Sequence, residues 1–187
     1  MNNQCKFTVL LILAMVLTFA ACSGAGTDPI TMYTIGDTGP SGVGIVFYIT
    51  DGGLHGLEAA PSLWENVTED PVAQWKTSGT TTAGTSAAIG TGYANTYTYL
   101  TGSEHPAAAL CRAYSGGGLS DWFLPSQNEL DALYWWQDTN GGSFVEDSYW
   151  SSTEAGETLA RYQGFINGNQ GSATKTGSLY VRAVRAF

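Results

Sequence analysis

Two stretches of the chain are apolar at consecutive positions and rich in β-branched and aromatic residues. The first covers residues 44–50, and the second covers residues 178–187 at the end of the sequence. Apolar side chains on both faces of a run indicate a strand that is covered on both sides. We therefore predict a central, buried strand at 44–50 and a strand inside a sheet, away from its edge, at 178–187.

Shorter strands are predicted between these two. An Asp-Gly-Gly turn at 51–53 reverses the chain, so residues 55–61 are expected to return as a second strand. Residues 148–153 have the composition of a short strand. Residues 159–166 lead into an Asn-Gly pair at 167–168, which is a strong signal for a β-hairpin.

The clearest helix signal follows Pro125. Ser126 and Glu129 have the Ser-x-x-Glu spacing of a capping box, in which each side chain accepts a backbone N–H at the other's position. Such a cap contributes about 1 kcal/mol and fixes the residue at which a helix begins. The sequence therefore predicts a helix over residues 127–137.

Two other helices and one irregular segment are predicted. Residues 105–114 have a proline in the first turn and glycines just beyond the end, which suits a helix. Residues 93–100 are predicted as a short helix. Residues 62–92 have no periodicity and include a run of Thr, Ser and Gly, so they are predicted as a long loop.

The composition favours a β-containing fold of one domain. The chain has 187 residues with 24 glycines, and its charged fraction of 12% is about half that of an ordinary globular protein. Many glycines and aromatic residues with few charges suit a turn-rich structure better than a helical bundle.

The beginning of the chain resembles a bacterial lipoprotein signal. A short segment with one basic residue precedes an apolar run, and two alanines stand before Cys22. On this resemblance residues 1–21 are removed, Cys22 carries acyl chains, residues 22–35 form a flexible tether and residues 36–187 form the domain. The serine after Cys22 implies a lipid-anchored protein of the outer membrane or cell surface. A plain secretory signal and an uncleaved anchor are the alternatives.

Charge and cysteine content exclude several kinds of function. Lys6 is one of seven basic residues, so its removal leaves six against sixteen acidic residues, a net charge of −10. Nucleic acids and sulfated glycans are poor partners for such a chain, because proteins bind them mainly through Lys and Arg. Cys111 would be the one cysteine left in the domain, which rules out an internal disulfide and a cysteine zinc site. Its apolar neighbours predict a buried, unreactive thiol.

Three motifs cover much of the chain after the signal. They are residues 39–61, residues 120–126 followed by Glu129 and Leu130, and residues 149–154 together with 180–185. They resemble the C-terminal domain of Legionella collagen-like adhesins, a bacterial domain of unknown function, over residues 35–187. The resemblance implies a single compact α+β domain similar to C-type lectins, with a mostly antiparallel sheet, two or three short helices and long loops. Its motif residues here are Asp121, Trp122, Pro125, Glu129, Trp150 and Arg182.

Differences from the family limit what the resemblance implies. Some relatives have a cysteine after the tryptophan that matches Trp75, where this chain has Lys76. The adhesin relative is associated with sulfated glycans through basic surfaces that this chain lacks. The similar formylglycine-generating enzymes need a cysteine pair for copper chemistry. The resemblance therefore implies a fold and a surface location but no active site and no cofactor.

Four tryptophans are candidate ligand-binding residues. At 100° per residue, Trp135 lies about 140° from Leu130, so it is either covered by a loop or exposed beside Trp136. An exposed indole offers a surface on which a sugar ring or an apolar partner can stack. Trp64 and Trp75 lie in the irregular segment, where the same two alternatives apply.

The charged residues favour structural roles. Arg182 on a buried strand requires a carboxylate partner, for which Asp121, Glu129 and Glu154 are the candidates. Calcium is an alternative ligand for the acidic pairs at 69–70 and 146–147, although neither has alternating Asp spacing. His55 and His105 each lack a second ligand or a nucleophile nearby in sequence.

These observations favour a cell-envelope lipoprotein that acts as a non-catalytic binding or adhesion module for a glycan or a surface protein. The alternatives are a cell-envelope enzyme of unknown reaction and a structural domain that packs against envelope proteins. The sequence gives no oligomeric state.

Overall fold

Two sheets form the framework of the domain. The computed structural model describes residues 30–62, 64, 69–78 and 82–187. In these residues the strands are β1 (Ile45–Thr50), β2 (His55–Ala59), β3 (Val72–Gln74), β4 (Ser148–Glu154), β5 (Leu159–Gly164), β6 (Gln170–Thr174), β7 (Ser178–Tyr180) and β8 (Val184–Ala186). The strand orders are β1-β2-β8 and β3-β7-β4-β5-β6. Every pairing between these strands is antiparallel except that of β4 with β7.

Three helices complete the described part of the chain. Helix α1 (Gly92–Ala94) continues into a π-helical turn, α2 spans Pro106–Ala113 and α3 spans Gln127–Asn140. The predicted helices and the hairpin between β5 and β6 are present, and the mixed α+β class with mostly antiparallel sheets is confirmed. The likeness to C-type lectins remains a prediction from the family resemblance.

The capping box of α3 is confirmed, and it does more than begin the helix. Ser126 accepts the Glu129 backbone N–H, and the Ser126 backbone N–H donates to the Glu129 carboxylate at 2.7 Å. The same carboxylate accepts backbone N–H groups of Gly90 at 2.8 Å and of Gly92 at 3.3 Å. Glu129 is fully buried, and this burial raises its pKa. One acidic side chain therefore joins the beginning of α3 to the loop before α1.

Tryptophans fill the first of two apolar cores. Trp75, Trp122 and Trp150 are each at most 1% exposed. Their indole N–H groups donate to backbone carbonyls of Ser151, Gly116 and Ala73, respectively, at 2.9 to 3.1 Å. A large apolar ring can be buried here because its polar N–H has a partner. Cys111 is buried in the same core, as predicted.

The second core lies between α3 and the two sheets. Leu130, Leu133 and Tyr134 of α3 pack with aromatic residues of the strands and loops. The buried members of this core are Phe47, Leu57, Ala59, Phe123, Leu130, Leu133, Tyr134, Tyr149, Phe165 and Val184. The predicted apolar face of α3 is therefore the face that it buries.

The prediction of one strand at 178–187 is wrong. The chain leaves the five-stranded sheet after β7 and joins the edge of the three-stranded sheet as β8. Between them, the Val181 N–H donates to the Pro71 carbonyl, and the Ala183 carbonyl accepts from the Ala60 N–H, both at 2.9 Å. Both faces of residues 178–187 are apolar because this segment contributes a strand to each sheet. Strand β7 lies inside the five-stranded sheet, and β8 lies at the edge of the three-stranded sheet.

The prediction that residues 44–50 form a central strand is also wrong. In the three-stranded sheet β1 is an edge strand and β2 is central. The outer edge of β1 is covered by the preceding turn. The Gly36 N–H donates to the Val46 carbonyl at 2.8 Å, and the Val46 N–H donates to the Asp37 carbonyl at 2.9 Å. Because these hydrogen bonds cover the outer edge of β1, an edge strand can be as apolar as a central one.

Strand β3 lies in the segment that the sequence predicts as a loop. It has three residues, too few for a periodic signal, and it forms the edge of the larger sheet beside β7. Just before the predicted start of the domain, the Tyr33 N–H donates to the Gly53 carbonyl at 2.9 Å. The signal and the Cys22 lipid site fall outside the described residues.

Arg182 lies at the crossing between the two sheets and is 3% exposed. Its Nε donates to Asp70 Oδ2 at 2.8 Å, and the Tyr149 hydroxyl donates to the same oxygen at 2.7 Å. None of the three predicted partners of Arg182 is correct. Asp121 binds Arg185 at 2.6 Å, Glu154 binds Lys175, and Glu129 caps α3. Asp70 stands in the segment without periodicity, so no local pattern marks it as the partner of Arg182.

Replacing Asp70 by Asn should destabilise the domain by about 3–5 kcal/mol, because it leaves the buried Arg182 guanidinium without a counter-charge. Urea denaturation measures this loss. Asp121→Asn is the matched control and should cost about 1 kcal/mol or less, since the Asp121 side chain is 44% exposed. Equal losses in the two variants would contradict the assignment of Asp70 as the essential partner.

Candidate functional site

The four candidate tryptophans have different environments. Trp135 is 59% exposed and Trp136 is half-buried, whereas Trp64 and Trp75 are only 6% and 1% exposed. Trp64 packs edge-to-face on Tyr114, and Trp75 packs in the same way on His105. Trp64 and Trp75 are therefore removed as ligand-binding candidates, because they belong to the first core.

The phase of α3 determines the exposure of Trp135. Leu130, Leu133 and Tyr134 occupy the buried face, which directs the next side chain away from the core. The ring of Tyr134 supports Trp135 from the side, with 5.5 Å between the ring centroids. The exposed alternative for Trp135 is the one that the structure adopts.

Trp135 borders an open cavity of about 420 Å³ between α3 and β1. Ile35, which is 51% exposed, lies across from the helix. The residues that line this outer cavity are Ile35, Phe47, Tyr48, Ala132, Trp135, Trp136, Thr139 and Asn140.

A second cavity of about 280 Å³ lies at the end of α3 and reaches Arg182. It forms because Gly141 ends the helix in a left-handed conformation, with φ of 71°, and turns the chain back over the sheet. Its lining residues are Ile45, Ala59, Ala60, Pro61, Ser62, Trp136, Asn140, Gly141, Gly142, Ser143, Phe144 and Arg182.

Trp136 and Asn140 line both cavities, so the two adjoin in one surface that we call the indole groove. The Asn140 side-chain NH2 donates to the Trp136 carbonyl at 2.8 Å, which leaves its amide oxygen as an acceptor. The Thr139 hydroxyl donates to the Trp135 carbonyl at 2.9 Å. The groove thus combines two indole rings with neutral polar groups.

The Trp136 ring is closely packed against Gly142. A Cβ added at Gly142 would lie 2.8 Å from Trp136 Cζ3 and 3.2 Å from a Phe144 ring carbon, so only glycine fits there without displacement. The Arg182 guanidinium lies over the Phe144 ring at 4.0 Å. Gly142, the Phe144 ring and the Arg182 guanidinium therefore form one packed wall of the inner cavity.

The electrostatics of the groove are close to neutral. Among the described residues that line the two cavities, Arg182 is the one that carries a charge, and Asp70 pairs with it. Trp136 Nε1 is buried and has no hydrogen-bond partner in the described part of the chain. The described residues that line the groove include no carboxylate and no histidine.

Another open groove, of about 650 Å³, lies between α2 and β3 and is larger than either cavity. The described residues of its lining include no aromatic side chain and are mainly Val, Ala, Leu and Pro. We favour the indole groove as the candidate site, because a binding site combines apolar rings with a few convergent polar groups.

Neither His55 nor His105 lines the indole groove. His55 Nδ1 lies 3.3 Å from the Phe187 carbonyl, and His105 Nε2 lies 3.8 Å from Glu104 Oε1 beside Trp75. In the described ranges, no group of three or more His, Cys, Asp or Glu side chains is placed to hold a metal ion.

Asn140, Phe144, Ile35 and Tyr48 are groove residues that the sequence did not identify. An Asn-Gly-Gly sequence at 140–142 marks the end of a helix, but it does not reveal which strand the helix end faces.

Comparison with models of known protein families finds no match for the chain, and comparison with curated proteins finds none either. Among the residues that the structure describes, no helix is both long and apolar enough to cross a membrane.

Acidification should destabilise the domain through His105. Burial lowers the pKa of His105 below 6.5, and nearby Lys76 and Lys175 act in the same direction while Glu104 opposes them. The neutral ring therefore stabilises the fold fully above pH 6.5, and this contribution is lost as the pH falls below that value. The melting temperature of His105→Gln should decline less than that of the wild type between pH 7 and pH 5.

His55→Gln is the control, since it replaces an exposed histidine. A decline that is unchanged in His105→Gln, or equally reduced in His55→Gln, would contradict this role of His105.

Proposed function

We propose that the chain is a lipid-anchored protein of the bacterial cell envelope that binds a neutral glycan in the indole groove without catalysing a reaction. The observation that carries the proposal is the exposure of Trp135 at the mouth of a groove that continues past Trp136 to Arg182. The lipoprotein-like signal before Cys22 supports the location.

A glycan suits the chemistry of the groove. The flat face of an indole packs against the C–H face of a sugar ring, and its apolar area stabilises that contact. Around the rings, Asn140 supplies an amide oxygen and Thr139 a hydroxyl, which can orient sugar hydroxyl groups. A mixture of aromatic surface and a few neutral polar groups is typical of a site for such a ligand.

Charge argues against anionic glycans. The chain carries a net charge of −9, and Arg182 is already paired with Asp70. A sulfated or phosphorylated polymer would meet an acidic protein whose described groove residues include no basic side chain besides the paired Arg182. We therefore propose a neutral ligand, unlike the sulfated glycans associated with the similar adhesin.

Trp135→Ala should weaken binding to the glycans that the wild-type protein selects on a glycan array. Loss of the exposed ring removes the stacking surface, and we expect at least about a tenfold rise in the dissociation constant, equivalent to about 1.4 kcal/mol. Isothermal titration with the best glycan from the array measures the change.

Tyr99→Ala is the matched control, because Tyr99 is a 46% exposed aromatic residue that lines neither cavity. An array on which the wild type binds no glycan would contradict the proposed function. Capture of one envelope protein by the same groove would instead favour the structural alternative.

Cys22→Ala should abolish the incorporation of radiolabelled palmitate and release the protein from membranes, because the substitution removes the thiol that carries the lipid. Fractionation of cells followed by immunoblotting measures the release. Cys111→Ala is the control, since Cys111 is buried in the core and should leave labelling unchanged. Undiminished labelling of Cys22→Ala would disprove this anchor.

A further inference from the structure

Large apolar side chains are exposed around the residue that first pairs with the folded domain. Tyr33 is held there, since its N–H donates to the Gly53 carbonyl at 2.9 Å. In the same segment Met32 is 66% exposed and Ile35 is 51% exposed. Leu54, which directly follows Gly53, is 40% exposed. Apolar side chains are thus exposed on two neighbouring segments at the beginning of the domain.

Trp135 extends this surface onto α3. Ile35 and Trp135 line the same outer cavity, and more than half of each side chain is exposed. We call Met32, Ile35, Leu54 and Trp135 the tether face. Single exposed apolar residues are ordinary on a protein surface, but several large ones close together mark a contact site.

The proposed lipid anchor lies close to the tether face along the chain. Tyr33 follows Cys22 by eleven residues, which span at most about 40 Å when fully extended. A compact domain of about 155 residues has a radius of gyration of about 15 Å, so it is about 40 Å across. The side opposite Tyr33 therefore reaches the anchoring membrane only if those eleven residues are fully stretched, whereas the tether face reaches it at any extension.

The side chains of the tether face suit the boundary layer of a bilayer. Tryptophan is enriched where headgroups meet acyl chains, because its ring is apolar while its N–H stays near water. Isoleucine, leucine and methionine also gain free energy when they leave water for this boundary. A lipid surface therefore matches the chemistry of the face as well as its place beside the anchor.

Charge determines which headgroups suit the tether face. Asp37 and Asp51 are exposed in its two segments, and Asp131 and Asp138 lie one turn before and one turn after Trp135 on α3. The whole chain has a net charge of −9. Anionic lipids repel such carboxylates, so the face suits zwitterionic headgroups and its contact depends on apolar area.

We propose that the tether face docks on the zwitterionic lipid surface of the membrane that holds the Cys22 anchor. This inference rests on the anchor in the proposed function and adds an orientation, with Trp135 at the level of the headgroups. The glycan is assigned to the same ring, so a glycan bound in the outer cavity replaces the lipid contact of Trp135.

Tryptophan quenching in the lipidated protein tests the docking. The protein is reconstituted in phosphatidylcholine vesicles with and without brominated acyl chains, which quench indoles that touch them. The emission lost in Trp135→Phe gives the contribution of Trp135. We expect bromine to quench about half of this contribution or more. Acrylamide, which quenches from water, should act at least about threefold less on Trp135 in vesicles than in Cys22→Ala protein in solution.

Ile35→Ser tests the tether face without altering the fluorescent ring. It removes apolar area beside Trp135, so bromine quenching of Trp135 should fall about twofold or more. Val72→Ser is the matched control, because Val72 is 52% exposed but lines the groove beside α2, and quenching should be unchanged. Replacing half of the phosphatidylcholine by phosphatidylglycerol should also reduce the quenching.

Trp135 that is not quenched by bromine, or quenching that rises with phosphatidylglycerol, would overturn the docking and leave the anchor and glycan binding intact. Equal losses in Ile35→Ser and Val72→Ser would contradict the tether face as the surface in contact. Undiminished palmitate labelling of Cys22→Ala would disprove the anchor, and this inference with it.

Discussion

The buried pair of Arg182 and Asp70 is the interaction on which the arrangement of the domain depends. Arg182 stands where the chain leaves one sheet for the other, and its guanidinium also binds the carbonyls of Ala60 and Ser143. It thereby joins the end of the chain to three otherwise separate segments. Tyr149 donates to the same Asp70 oxygen, which places one carboxylate at the centre of the network. A charge this deeply buried is tolerated only because its counter-charge and carbonyl acceptors are all in place.

The same network shapes the inner end of the groove. The Ser143 carbonyl holds the segment after α3 against Arg182, and Phe144 packs under the guanidinium. Phe144 and Gly142 pack beside the Trp136 ring, which lines both cavities. Stability and binding are therefore linked here, because the residues that hold the sheets together also line the surface that we assign to the ligand. The lack of a side chain at Gly142 is part of that link, since a side chain there would displace the ring.

Local signals in the sequence predict the parts of the fold that depend on neighbouring residues. The capping box at Ser126 and Glu129, the hairpin before β6 and the apolar face of α3 are all of this kind, and the helical phase identifies Trp135 as the residue that points away from the core. Long-range pairings are different. The partner of Arg182 lies 112 residues away in a segment without periodicity, so no local pattern could select Asp70 over Asp121. The burial of Trp75 is likewise set by Ser151 and by strands distant in sequence.

The central claim is that a ligand meets the two consecutive tryptophans of α3 and leaves the tryptophans of the core untouched. Nuclear magnetic resonance of the ¹⁵N-labelled protein measures this directly, since each of the six indole Nε1–H groups gives its own signal. On addition of the glycan that binds best on the array, the account predicts that the Trp135 and Trp136 signals shift while those of Trp75, Trp122 and Trp150 stay in place. Shifts confined to the core signals, or six signals that do not move at saturating sugar, would contradict it.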